Sequence, residues 1–299
     1  MWKLWLFLCV VELQAASPAL QELWRQEIEG EAVYIERLKG KHVLFVGGIL
    51  NGLAKLVPGY FSDNREAVEH ELGGESSYFG PSSRNSIPEN SQILKEHILK
   101  THFEHQKPLI LVGHSKGAAE ILHVILEYPD LILEGCVERI ILIQAPIQGA
   151  PVANEPSRWI CYEAIKAITG LETETLSEVG AKTVFDLAFE HYHAAITDEA
   201  KHDFVSNRIF YVRSASKSED HSYCLQLVLG ITQHQPEIHG HSDGLIPVNA
   251  QLDSRIGIDL GVVQADHFGL VIPWVSGFSK KERKAFTRAV FGLVSQWGD

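Results

Sequence analysis

The stretch from Leu109 to Leu122, LILVGHSKGAAEIL, constrains this chain more than any other. Its apolar opening lacks the alternation of a half-buried strand, so the strand it predicts is one covered on both faces, as in a parallel sheet. A serine boxed between Gly113 and Gly117 follows, and then a helix. A strand that turns at once into a helix brings backbones so close that side chains beside the bend would collide, which accounts for both glycines. A serine hydroxyl is a weak nucleophile until a neighbouring base removes its proton, so it must stand exposed where a base can reach it. The first amides of the helix have no helical partners and would point at the same spot, ready for a developing oxyanion. The plain alternative is a glycine-rich turn with an inert serine.

Runs of the same kind recur at His42 to Val46 and at Arg139 to Ile143, and RIFYVRS and RIGIDLGVV add two further strands. SSYFG reads as a short one. Between them lie helical stretches. Glu22 to Arg37 is polar, DNREAVEHEL carries an Asp where a cap would stand, and Ile93, Leu94, His97, Ile98 and His102 fall near helical spacing after Pro88. Pro129 ends the helix that begins at Ser115, and KKERKAFTRAVFGLVSQW closes the chain as an amphipathic helix. Strands alternating with helices predict an α/β fold with a mainly parallel central sheet flanked by helices. Residues 153–205 interrupt the rhythm with helical sequence alone, read either as an insertion above the sheet that covers a site or as packing helices at its edge.

At 299 residues, 45% hydrophobic and 21% charged, the chain suits one large domain, expected over residues 18–299. A formal net charge of -12 argues against a polyanionic partner such as nucleic acid. Residues 1–17 have the order of an export signal: Lys3, an apolar run from Leu4 to Val11, then Ala15, Ala16 and Ser17. That run is too short to span a bilayer. Glu12 at its edge keeps open an amphipathic first helix packed on the domain. Without that segment Cys136, Cys161 and Cys224 remain, an odd set that permits one disulfide at most. No phosphate-cradling loop or dinucleotide fingerprint occurs, and His191 and His193 would lie on different helix faces, so no zinc pattern is read.

LILVGHSKGA, VGGILNG, LIQAPIQGAPVA, SDGLIPVNAQ and ADHFGLV occur in the order found in α/β-hydrolases, and the set most resembles the bacterial triacylglycerol lipases and related esterases. The resemblance runs from about residue 42 to the C-terminus and implies an α/β-hydrolase fold with a helical, lid-like insertion. It implies a triad in the order Ser, acid, His. Ser115 matches the nucleophile. His267 matches the base, because ADHFG follows the last expected strand; His239 and His241 are rivals. Asp243 matches the acid in SDGLIPV, with Asp220 and Asp266 as alternates and a plain Asp-Gly turn as the structural reading.

The same resemblance places one oxyanion donor at the backbone amide of Lys116 and the other at Ile49, with Gly48 and Leu50 as alternates. Two departures stand out. Gly47 and Gly48 replace the usual His-Gly, and Gly269 stands where many of these lipases carry a calcium-binding aspartate, so neither calcium nor any other cofactor is expected. The implied activity is hydrolysis of carboxylic esters with an apolar acid or alcohol, with transient contact to a lipid surface. Amidase, thioesterase and polyester depolymerase use the same triad. A non-catalytic binding protein on this fold is the reading from another class. Trp159, Ile160, Ile165, Ile168, Val184, Phe185, Leu187 and Phe189 either line an acyl groove or pack as core.

Overall fold

The unalternating runs become strands that feed two core layers at once. In β1, His42–Val46, Val43 and Phe45 pack on one face of the sheet while Leu44 and Val46 pack on the other. β3, Leu109–His114, and β4, Val137–Ile143, do the same: Ile110, Val112 and Ile141 join the first layer, and Leu111, Ile140 and Leu142 the second. Each such side chain taken out of water contributes about 1.5–3 kcal/mol. That is why the stretches 43–46, 109–112 and 140–143 carry no polar residue.

The protein is described by a computed structural model over residues 20–31, 36–49, 59–154, 170, 172–216, 241–273 and 277–297. With β2, Glu75–Phe79, β5, Ile209–Ala215, and β6, Ile258–Gln264, the strands form one sheet in the order β2-β1-β3-β4-β5-β6. Every neighbouring pair is parallel. The chain runs from β1 outward to β2 and then returns to place β3 on β1's other side. At such a reversal a crevice opens beyond the carboxyl ends of the strands.

The helices cover both faces. α1, Leu20–Glu29, and α2, Ser62–His70, lie in the first layer; α3, Ile87–His105, and α4, Lys116–Glu127, lie in the second, followed by the short α5, Asp130–Leu133. α3 starts on a capping box between Ser86 and Glu89. Its buried stripe is Ile87, Leu94 and Ile98, and Ile93, adjacent to Leu94 in sequence, faces outward. The Asp cap expected for α2 is not formed. Phe61 precedes that helix with a left-handed backbone, and Asp63 sits inside the first turn, where it accepts from Arg283 Nε at 2.7 Å.

Arg283 belongs to the last described helix, Lys280–Val294, which is stitched to the domain by its basic residues. Arg288 pairs with Glu27 of α1 at 2.7 Å and with Glu71, just past α2, at 2.5 Å.

The described part of the all-helical region holds α6, Glu178–Ala195, and α7, Glu199–Ser206. Ala181, Phe185, Ala188 and Tyr192 recur at helical spacing on the buried side of α6. Phe185 and Phe189 therefore pack as core in the layer of α4, Val184 packs partly against it, and Leu187 is exposed. Trp159, Ile160, Ile165 and Ile168 lie outside the described residues, as do residues 1–17, Cys161 and Cys224. Cys136 is a free thiol. Among the described residues no helix is long and apolar enough to cross a membrane.

Candidate active site

Ser115 stands where β3 ends and α4 begins, with φ 55° and ψ -130°. A non-glycine residue in that region stores strain, and only dense surroundings keep it there. Three glycines supply them. A Cβ at Gly117 would lie 2.3 Å from the Gly47 carbonyl oxygen, and one at Gly113 would lie 2.6 Å from the Ala118 Cα. At Gly48 it would come within 2.8 Å of the Ser115 Cβ. Gly48 after β1 is thus a steric requirement of the bend.

Four connections beyond the carboxyl ends of strands meet at this serine. His267, after β6, places Nε2 2.9 Å from Ser115 Oγ, and its Nδ1 lies 2.8 Å from Asp243 Oδ2. Because an ionised carboxylate only accepts, Nδ1 carries the proton and Nε2 is left to accept from the serine hydroxyl. Asp243 is fully buried, and its Oδ1 accepts from the amides of Leu245 at 2.9 Å and Ile246 at 2.8 Å. Gln251 Nε2 approaches Oδ2 at 3.3 Å and also donates to the carbonyls of Ser214 and Ile246. The Asp-Gly turn is present, and the same carboxylate that shapes it holds the imidazole.

The two described rivals, Asp266 and His241, fall elsewhere. Asp266 caps its own turn, its Oδ1 accepting from the amides of Phe268 at 3.1 Å and Gly269 at 2.6 Å. His241 is exposed, and its carbonyl accepts from Val248 at 2.9 Å. His239 and Asp220 lie outside the described residues. A side chain at Gly269 would meet the Phe278 ring at 2.7 Å, so this turn has no room for an aspartate there. His191 pairs with Glu127 at 2.9 Å, while the His193 ring lies against His202.

His114 turns away from Ser115 into a buried web that the sequence did not disclose. The Gly48 amide donates to Tyr60 Oη at 3.0 Å, and that hydroxyl lies against His114 Nδ1. On the other side, His114 Nε2 lies 2.7 Å from the His267 carbonyl oxygen and 3.0 Å from Gln144 Oε1. With acceptors on that side, Nε2 carries the hydrogen and Nδ1 accepts from Tyr60. Burial pushes the His114 pKa well below the ordinary imidazole range, so the ring is neutral. Burial likewise raises Tyr60 far above the usual phenol. The web ties the glycine loop after β1 to the backbone of His267. Tyr60→Phe would remove the hydroxyl that the Gly48 amide and His114 Nδ1 share, and is expected to cost about 1–3 kcal/mol of stability. Urea denaturation beside the unaltered protein measures it; an unchanged midpoint would mean the web bears no weight.

The same bond bears on one of the oxyanion candidates. The Gly48 amide is committed to Tyr60, Leu50 lies outside the described residues, and Ile49 follows next, its carbonyl held by Ser83 Oγ. Across the crevice, Lys116 is the first residue of α4, ahead of the first intrahelical bonds that reach Ser115 from Ala118 and Ala119. Its side chain is buried: Nζ donates to Glu120 Oε1 at 2.5 Å and to the Asn85 carbonyl at 2.8 Å. Asn90 of α3 donates to the same carboxylate oxygen at 2.6 Å. Burial raises the Glu120 carboxyl to about 7 against the opposing pull of Lys116 and Asn90. Removing one partner of such a pair strands the other charge. Glu120→Ala is therefore expected to destabilise the fold by about 3–5 kcal/mol, read as a lower denaturation midpoint; a loss under about 1 kcal/mol would contradict it.

No family model and no curated protein matches the sequence. Solved structures do. A metagenomic carboxyl esterase superposes with a TM-score of 0.61 at 20% identity, covering 89% of this chain and 78% of that one. The Bacillus licheniformis lipase BlEst2 in its mature form gives 0.60 at 16% identity, over 89% of this chain and 96% of that one. Its propeptide form gives 0.53 at 16%, over 80% and 49%.

Proposed function

We propose that this chain, whose fold is that of the α/β-hydrolases, is a serine hydrolase of carboxylic esters. The observation that carries the reading is the unbroken run from Ser115 Oγ to His267 Nε2 at 2.9 Å and from His267 Nδ1 to Asp243 at 2.8 Å. Ser115 attacks the ester carbonyl while His267 takes its proton. Asp243 holds the imidazole in the right tautomer and stabilises its charged form. The amides of Lys116 and Ile49 receive the oxyanion of the tetrahedral intermediate. His267 then returns the proton to the departing alcohol, and water activated by the same ring releases the acid and frees Ser115.

The esters proposed are those with an apolar acid or alcohol, the class implied by the resemblance carried by the stretches around Ser115, Asp243 and His267. Ser115 is 7% exposed, so the nucleophile lies below the surface that a substrate first meets. The test pairs two measurements on the full-length protein: hydrolysis of p-nitrophenyl esters from acetate to palmitate, and labelling by an alkyl phosphonate with the modified peptide identified by mass spectrometry. Turnover together with a label on Ser115 supports the proposal, and the preferred chain length divides esterase from lipase. A label without ester turnover would redirect the substrate class to amides, thioesters or polyesters. An unlabelled serine and no turnover would overturn the enzyme reading in favour of a binding protein.

A further inference from the structure

Three element ends meet at the edge of the sheet opposite Ser115. His42 opens β1, Glu75 opens β2 as its register partner, and His105 closes α3. His42 is 1% exposed, and its Nε2 is hydrogen-bonded with Ser77 Oγ at 2.8 Å. Its other ring nitrogen, Nδ1, is buried and has no hydrogen-bond partner. A buried polar atom left alone costs free energy, and a bound ion is one of the few ways to satisfy it.

What that nitrogen faces is informative. Glu75 Oε2 lies 3.6 Å from His42 Nδ1, and His105 Nδ1 lies 3.6 Å from the same oxygen. These separations exceed a hydrogen bond. They are close to the edge, about 3.4 Å, of a tetrahedron whose corners stand about 2.0–2.2 Å from a central zinc. A donor atom from each of the three residues lies within 4.8 Å of the other two.

We propose that His42 Nδ1, His105 Nδ1 and Glu75 Oε2 bind a zinc ion, with water as the fourth ligand. Two imidazoles and one carboxylate are a donor set that zinc accepts in a tetrahedron. Ser77 holds the far nitrogen of His42 and so fixes the ring's orientation, the usual task of a group behind a metal ligand. Lys107 donates to Glu75 Oε1 at 2.5 Å, which orients the carboxylate and leaves Oε2 turned to both rings. His105 is 37% exposed, so ion and water have a path in, and its side chain has freedom to complete the geometry.

The ion would pin the starts of β1 and β2 to the end of α3. β1 is five residues long, so its other end, which leads to Gly47 and Gly48, is about 13 Å away. Zinc here therefore acts on stability and takes no part in bond cleavage. The site is independent of the hydrolase reading and stands or falls on its own.

The full-length protein, stripped of metal by chelation, is titrated with zinc chloride in competition with a chromophoric chelator. His105→Ala, Ser77→Ala and the surface control His191→Ala are run beside it, and His42 is left intact because it is buried. The expected result is one zinc per chain, held at least about tenfold more weakly by His105→Ala and about tenfold more weakly by Ser77→Ala. His191→Ala binds like the unaltered protein, and zinc raises Tm in that protein but not in His105→Ala. Absence of saturable binding, or equal affinity in His105→Ala, would overturn the proposal.

Discussion

Ser115→Ala is expected to lower kcat for a p-nitrophenyl ester by about 10⁴- to 10⁶-fold without loss of folding. The substitution removes only Oγ and with it the hydrogen bond to His267 Nε2 at 2.9 Å. Alanine keeps the Cβ, so the backbone strain and the contacts with Gly48 are unchanged, and the circular dichroism spectrum and Tm should hold. The residual rate would come from substrate binding and the amides at the head of α4, which survive the change. A loss below about 100-fold would mean that another group is the nucleophile.

Asp243→Asn should cost about 10⁴-fold in kcat, for a reason that lies in the proton map. Two amides, from Leu245 and Ile246, already demand an oxygen at Oδ1. An asparagine satisfies them with its carbonyl and must then turn its NH₂ toward His267 Nδ1. That reverses the tautomer: the ring proton moves to Nε2, and the imidazole can no longer accept from Ser115. The fold is preserved, because Gln251 and both amides keep partners. Full activity in the asparagine variant would remove Asp243 from the mechanism; inactivity with a collapsed Tm would mark it as structural only.

How much of this was legible depended on distance along the chain. The strands holding Val43, Ile110 and Ile140 could be read because burial on both faces leaves a continuous apolar signature in four adjacent residues. Ser115 could be read for the same reason: its glycines stand two residues away on either side. His267 and Asp243 needed the family resemblance, since fifteen histidines offered no local reason to choose. Tyr60 was invisible. Its partners Gly48 and His114 are twelve and fifty-four residues distant, and a tyrosine in a polar turn carries no mark of a buried hydrogen bond. The cluster of His42, Glu75 and His105 escaped similarly, because a search for metal spacing looks within one helix or loop while these ligands come from three elements. At Asp63 the local rule misled: a short acid at a helix start reads as a cap, yet Arg283 from the end of the chain claims it.

The left-handed backbone at Ser115 has a bearing on how this protein can be improved. Holding a side chain at φ 55° costs about 1–3 kcal/mol, which a glycine at that position would largely recover. A selection for heat resistance alone would reward that exchange and return a sturdier, inert protein. Screens for robust variants must therefore read turnover and melting together, and stabilising changes are better sought at the far end of the sheet, around the starts of β1 and β2 and the end of α3, where the reacting serine is out of reach.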